Sequence, residues 1–302
     1  MIPYGRSRWG GRWWLLLLWL PTLVGCSGIE VINALTPAGQ TQPFEAIAYG
    51  ETPRQRLDIY RPKGADGQAP VVVFFYGGTW REGARQDYRF VGRALASRGI
   101  VAVVADYRLY PEVRYPGFVE DTAQALAWAH RHIDQYGGDP HRLFVMGHSA
   151  GAYNAAMVAL DPRWLAAQSL SPHILSGWIG LAGPYDFLPI TNEDARPVFD
   201  WPNTAEETQP IAHVSDQSPP ALLLASHRDT TVNPIRNTAG MAQALRAHGV
   251  AVTEDYADRT SHITLIAALA RPLRWLGPVL DDIDTFVHDT PPRSDGGPVS
   301  PQ

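Results

Sequence analysis

Between residues 44 and 287, apolar runs of strand length alternate with longer stretches of helical periodicity. The run Val71-Val72-Val73-Phe74-Phe75-Tyr76 is unbroken and rich in β-branched and aromatic residues, as a strand covered on both faces requires, and it stops at Gly77-Gly78. Ile100 to Ala105, Arg142 to Gly147, Gly177 to Leu181, Ala221 to Ala225 and Val250 to Tyr256 read as further strands, with short early ones at Glu45 to Tyr49 and Leu57 to Tyr60. Helices are predicted at Asp87 to Arg98, which ends at Gly99, and at Phe118 to Tyr136, which is closed by Gly137-Gly138. Two more are predicted at Ala152 to Leu160 and Pro234 to His248. This alternation predicts an α/β domain whose mostly parallel, eight-stranded sheet carries helices on both faces. The stretch 187–220 is irregular and Pro-rich, as expected of a lid or insertion. No internal repeat interrupts the pattern.

The first residues follow a different rule. Arg6, Arg8 and Arg12 precede the apolar run Trp13 to Val24. Twelve residues span about 18 Å as a helix, short of a ~30 Å hydrocarbon core, so the run suits a secretion signal better than a membrane span. Leu23-Val24-Gly25-Cys26 follows and resembles the bacterial lipoprotein box, in which the thiol is the point of lipid attachment. The resulting expectations are a signal peptide over 1–25, a lipid on Cys26 that anchors the protein to a membrane of the bacterial cell envelope, and a tether over 26–43. The catalytic domain would then run over 44–288 and a disordered, Pro- and Gly-rich tail over 289–302.

Composition narrows the function. The 302 residues carry a formal net charge of −5 with no long basic run, which argues against a nucleic-acid partner. A single cysteine excludes a disulfide framework and any Cys-based zinc site.

The chemistry centres on Gly147-His148-Ser149-Ala150-Gly151, a Gly-x-Ser-x-Gly sequence between an apolar strand and a helical stretch. A strand-to-helix turn there pushes Ser149 out above the sheet, and glycines are needed because a Cβ would clash in so tight a turn. A serine hydroxyl is a poor nucleophile near neutral pH and needs both a base and donors for the oxyanion. Gly77-Gly78-Thr79-Trp80 follows the Val71 strand and offers the N–H groups of Gly78 and Thr79, to which the Ala150 N–H adds a third. Trp80 belongs either against the substrate or in the core.

Where such a turn carries a triad, the chain order is serine, acid, histidine. Of the six histidines after Ser149, His262 lies in a polar loop between a strand and a helix, the place from which a ring can lean over the sheet edge. His248 reads as a helix cap, His288 lies near the tail, and His148 is expected to point away from the site. Asp229, just past the Leu222–Leu224 strand, is placed to orient the imidazole, with Asp186 after the preceding strand as the alternative acid.

Asp106-Tyr107-Arg108-Leu109, Tyr136-Gly137-Gly138-Asp139-Pro140 and Gly147 to Gly151 together resemble α/β-hydrolase esterases of the acetyl-esterase and hormone-sensitive-lipase-like type. The Gly-Gly-x-Trp form at Gly77 to Trp80 is more similar to the kynurenine-formamidase-like and isoprenylcysteine-methylesterase-like branches. The resemblance spans roughly Phe44 to Val287. It implies an α/β-hydrolase fold and cleavage of small-molecule carboxylic esters through an acyl-enzyme, with no metal or organic cofactor. An arylformamidase and a non-catalytic envelope lipoprotein are the alternatives. The chain departs from the pattern at Tyr76, where many relatives have His, at Thr79, where many have a third Gly, and at Ala152. The first two change how the donor loop is held.

Overall fold

The computed structural model describes residues 28–293, apart from 38, 40, 66 and 67. The signal segment 1–25, Cys26 and the chain from 294 onward lie outside the described residues. Eight strands form one sheet: β1 (Thr41–Ala48), β2 (Arg56–Pro62), β3 (Ala69–Phe75), β4 (Val101–Ala105), β5 (Gly138–His148), β6 (Leu175–Leu181), β7 (Ala221–Ala225) and β8 (Val252–Tyr256). Their spatial order is β1-β2-β4-β3-β5-β6-β7-β8. The β1–β2 and β2–β4 pairs are antiparallel and all the others parallel. Strands β4, β6 and β7 are buried along their whole length and β3 at all but its first residue, since parallel strands here are covered on both sides.

The helices are α1 (Gly28–Leu35), α2 (Arg89–Ala96), α3 (Gly117–His132), α4 (Ala150–Leu160), α5 (Pro162–Ala166), α6 (Gly240–Ala247), α7 (His262–Ala267) and α8 (Val279–Asp289). On one face α1 and α8 pack against α2; on the other α3, α4 and α5 pack together. Strand β3 sits between β4 and β5; the chain leaves β3 toward β4 and leaves β5 toward β6 on the opposite side, which opens a crevice at the carboxyl ends of β3 and β5. The nucleophile turn and the glycine loop both lie there.

Two expectations change. The segment 26–43 contains a helix and the start of a strand where a tether was expected. Helix α1 buries parts of Ile29 and Ile32, and its Asn33 side chain holds the carbonyls of Gln86 and Asp87 and the N–H of Phe90. The predicted helix from Pro234 begins with a wider turn at Ile235–Ala239 before α6 proper. Segment 187–220 holds only short helical turns, as its prolines dictate, yet it is tied down. Tyr153 donates its hydroxyl to the Thr208 carbonyl at 2.7 Å, and the Tyr115 N–H reaches the Val198 carbonyl at 3.0 Å.

Candidate active site

Ser149 occupies the turn between β5 and α4 with φ 53° and ψ −121°, a conformation L residues rarely adopt. Its N–H donates to the Leu181 carbonyl at 2.9 Å and its carbonyl accepts the first bonds of α4, so the strained residue is held from both sides. The neighbours must be glycine. A Cβ on Gly147 would lie 2.1 Å from the Gly151 oxygen, and one on Gly151 would lie 2.0 Å from the Phe75 oxygen.

The base and acid arrive from the far end of the sheet. His262 opens α7, where Ser261 caps the helix by accepting from the Thr264 N–H. Asp229 lies in the loop after β7, and Ser226 of that loop donates its hydroxyl to the Thr260 carbonyl at 2.6 Å, fastening the two loops together. His262 Nδ1 is 2.7 Å from Asp229 Oδ2, and His262 Nε2 is 2.9 Å from Ser149 Oγ. The other carboxylate oxygen, Asp229 Oδ1, accepts the N–H groups of Thr231 and Val232 at 2.8 and 2.9 Å. Burial alone pushes the Asp229 pKa up. The bonds from His262, Val232 and Thr231 together outweigh it and hold the group below the usual carboxylate value. An ionised carboxylate only accepts, so Nδ1 of His262 carries the ring proton and Nε2 is free to accept from the serine hydroxyl.

His148 does not point away from this assembly. Its Nε2 lies 2.9 Å from the His262 carbonyl oxygen, and the two rings are 5.1 Å apart. A carbonyl only accepts, so Nε2 of His148 is protonated and Nδ1 is bare. That Nδ1 is buried with no hydrogen-bond partner among the described residues. Burial, reinforced by the neighbouring His262, pushes the His148 pKa down to about 3, which keeps the ring neutral. Its position directly before the nucleophile was the only signal available in the sequence.

The glycine loop lies against the serine, since a Cβ on Gly77 would approach Ser149 Cβ to 2.9 Å. Gly78 has φ +122° and a Cβ there would meet the Glu82 carbonyl at 2.2 Å, so only glycine fits. Thr79 and Trp80 also have positive φ. The carbonyls of Tyr76, Gly78 and Trp80 are all hydrogen-bonded, by the Tyr107 hydroxyl, the Arg81 and Glu82 N–H groups and the Tyr110 N–H. The N–H groups of Gly78, Thr79 and Ala150 donate to no other group among the described residues. The loop is held from behind by Tyr76, whose hydroxyl donates to Asp106 Oδ1 at 2.7 Å and accepts from Arg54 Nη2 at 2.9 Å. Asp106 is held in turn by Arg85. The departure at Tyr76 thus brings a buried polar network of its own.

Trp80 is only 3% exposed. Its indole N–H donates to Asn154 Oδ1 at 2.9 Å and its ring packs among Phe118, Tyr153 and Phe199. It is a core residue with one edge on the cavity wall. That cavity, about 700 Å³, is also lined by Ser149, Thr79 and Ala150, and by the apolar Phe187, Ile190, Val232 and Ile235. Asp186, the alternative acid, lies on this wall but is bound by the Arg236 guanidinium at 2.8 and 3.0 Å, while His262 is paired with Asp229. His227 also lines the cavity and stacks on Tyr256 at 4.3 Å; elsewhere, His248 contacts the Ala244 carbonyl and His288 the Arg98 carbonyl.

A serine on a strand-to-helix turn at a sheet crevice, reached by a histidine and an acid from later loops, defines the α/β-hydrolase class. Solved structures agree on the fold. A truncated carbohydrate esterase from gut microbiota superposes with a TM-score of 0.71 over 84% of this chain and 99% of its own at 17% identity. An esterase of Thermogutta terrifontis with propionate bound gives 0.69 over 86% and 98% at 21% identity. The family model BD-FAE matches residues 57–245, more than half of the chain, and the protein belongs to that family. Among curated relatives, the isoprenylcysteine alpha-carbonyl methylesterase ICME of Arabidopsis thaliana is 30% identical over 82% of this chain and 62% of its own. Esterase LipC of Mycobacterium tuberculosis is 31% identical over 67% of this chain and 54% of its own. The chain spans less than two thirds of the length of these relatives.

Proposed function

We propose that the protein is a serine esterase that cleaves small-molecule carboxylic esters through an acyl-enzyme. Ser149 Oγ attacks the ester carbonyl while His262 Nε2 takes its proton, and Asp229 stabilises the imidazolium that forms. The carbonyl oxygen becomes an oxyanion facing the unpaired N–H groups of Gly78, Thr79 and Ala150, at the start of α4 where the helix dipole adds to their effect. His262 then protonates the departing alcohol. Water, deprotonated by the same ring, attacks the acyl-serine, and the acid leaves as the Ser149 hydroxyl is restored.

The observation that carries the reading is the continuous hydrogen-bonded line from Ser149 through His262 to Asp229. The relatives named as esterases support the same chemistry. A fluorophosphonate probe tests it: labelling of wild type that is lost in Ser149→Ala is the expected result, and an unlabelled, folded wild type overturns the proposal. A chain-length series of chromogenic esters beside a formyl anilide then defines the acyl group and separates an esterase from an arylformamidase. We read Cys26 as the lipid attachment site that anchors this domain to a membrane of the bacterial cell envelope. Metabolic labelling with a radioactive fatty acid, abolished in Cys26→Ser, tests that reading.

A further inference from the structure

Six large apolar side chains stand exposed among the described residues: Val31, Leu35, Trp201, Ile235, Ile263 and Trp275. Three have a local setting. Ile235 lines the cavity, Ile263 follows His262, and Trp201 lies beneath the Arg196 guanidinium, 4.7 Å away. The other three are gathered on α1 and on the turn Arg271–Leu276 that lies against it.

Helix α1 is fixed in orientation by Ile29, Ile32 and the Asn33 hydrogen bonds described above. Its opposite side therefore presents Val31 (44% exposed), the exposed Ala34 and Leu35 (58%), an exposed i, i+3, i+4 stripe. On the adjoining turn Trp275 is 65% exposed. Arg271 and Arg274 both precede it in the sequence Arg-Pro-Leu-Arg-Trp-Leu. Among the described residues neither has a carboxylate within ion-pair distance, whereas nearby Arg98 is paired with both Asp281 and Asp284. Burial, then the positive charges of Arg98 and Arg271, with Asp281 opposing, leave the Arg274 pKa lowered.

A short apolar stripe, an exposed tryptophan and unpaired arginines are the groups that partition to a bilayer interface: the stripe reaches the acyl boundary, the indole sits at headgroup level, and the guanidinium groups meet anionic lipid. The chain itself names the partner. Cys26 stands two residues before Gly28 and one residue, Gly25, after the apolar run Trp13 to Val24. Two residues span at most about 7 Å, so a bilayer that holds Cys26 lies close to the first turn of α1. We infer that the outer stripe of α1, with Trp275, Arg271 and Arg274, is the face on which this domain rests on an anionic lipid surface. The inference rests on the reading of Cys26 as the anchor and adds to it a fixed orientation of the domain.

Hydrogen exchange on the full chain tests it, measured on vesicles of phosphatidylethanolamine with phosphatidylglycerol, on pure phosphatidylcholine vesicles and in neutral detergent. On anionic vesicles the amides of 28–35 and 271–276 exchange at least ~5-fold more slowly than in detergent, with a smaller effect on phosphatidylcholine. Arg271→Glu/Arg274→Glu, both on a surface turn, removes the excess protection while ester turnover in detergent stays at the wild-type level. Protein that floats with the vesicles while both segments exchange as in detergent overturns the docking face and leaves the anchor standing. Flotation unchanged in Cys26→Ser, with both segments protected, overturns the cysteine anchor and leaves the face standing. A wild type that does not float overturns both. Protection that appears in detergent as well and depends on protein concentration assigns the face to a second copy of the chain and overturns the lipid proposal.

Discussion

The Nε2–H of His148 donates to the main-chain carbonyl of His262 at 2.9 Å, so the residue before the nucleophile holds the backbone of the base 114 positions later. This bond and the Asp229 bond fix His262 at its carbonyl and at its ring. His148→Ala frees the first of these attachments while leaving the ring's partners in place. Turnover should fall about 10- to 100-fold in kcat with KM nearly unchanged, because misplacement of a base acts on the transition state. His148→Gln, which keeps an N–H donor, should recover part of the loss. Steady-state kinetics on both variants check this, and a loss confined to KM contradicts it.

Removing the nucleophile or the base is more severe. Ser149→Ala and His262→Ala should each lower ester turnover at least ~10³-fold, and Asp229→Asn by a similar order, because the amide favours the wrong imidazole tautomer. The double variant Ser149→Ala/His262→Ala should lose little more than either single one. Additive losses would show that the two side chains act separately.

Glycine positions divide by what surrounds them. Gly151→Ala drives a methyl into the Phe75 carbonyl at 2.0 Å, backbone against backbone, and should destabilise the fold by at least ~3 kcal/mol. Gly99→Ala meets nothing within 4 Å and suffers only its positive φ of 79°, a strain of about 1 kcal/mol. Thermal or denaturant unfolding of the two variants should separate them clearly.

Acid should weaken the fold through His148. The folded pKa is about 3, against an ordinary value near 6.5 in the unfolded chain. Between those values the unfolded chain binds the extra proton, so this residue's contribution is intact above about pH 6.5 and is lost as the pH falls toward 3. Asp229 acts in the same sense at lower pH: its carboxylate stabilises the fold above the unfolded value of about 3.9 and ceases to as the pH falls through its depressed folded value. The melting temperature should therefore drop from about pH 6 to pH 4, and less steeply in His148→Phe than in wild type. Parallel profiles for the two proteins would remove His148 as the cause.

Trp80 combines the two places the sequence left open for it, packing in the core while one edge remains on the cavity wall. Trp80→Ala empties a site among Phe118, Tyr153 and Phe199 and strands the Asn154 carbonyl oxygen. A stability loss of about 3–5 kcal/mol should precede any change in substrate preference, measurable by comparing unfolding midpoints with the acyl-chain profile.

The alternation of β-branched runs with helical stretches determined the parallel α/β sheet, because burial on both faces leaves a strand no polar positions and so writes itself plainly into the chain. The tight turn around Ser149 and the glycines after β3 were equally legible, since a turn's steric needs fall on the residues that make it. The sequence pointed to His262 in the loop after β8 as the base and to Asp229 after β7 as the acid, with Asp186 after β6 as the alternative. The hydrogen bonds that join Asp229, His262 and Ser149, however, exist only because the strand order brings those loop ends to one rim. The same holds for the turn of His148 toward His262, the engagement of Asp186 by Arg236, the network behind Tyr76 and the packing of α1. Each is a contact between residues far apart in the chain, and local periodicity records that a side chain is buried without recording which distant one it meets.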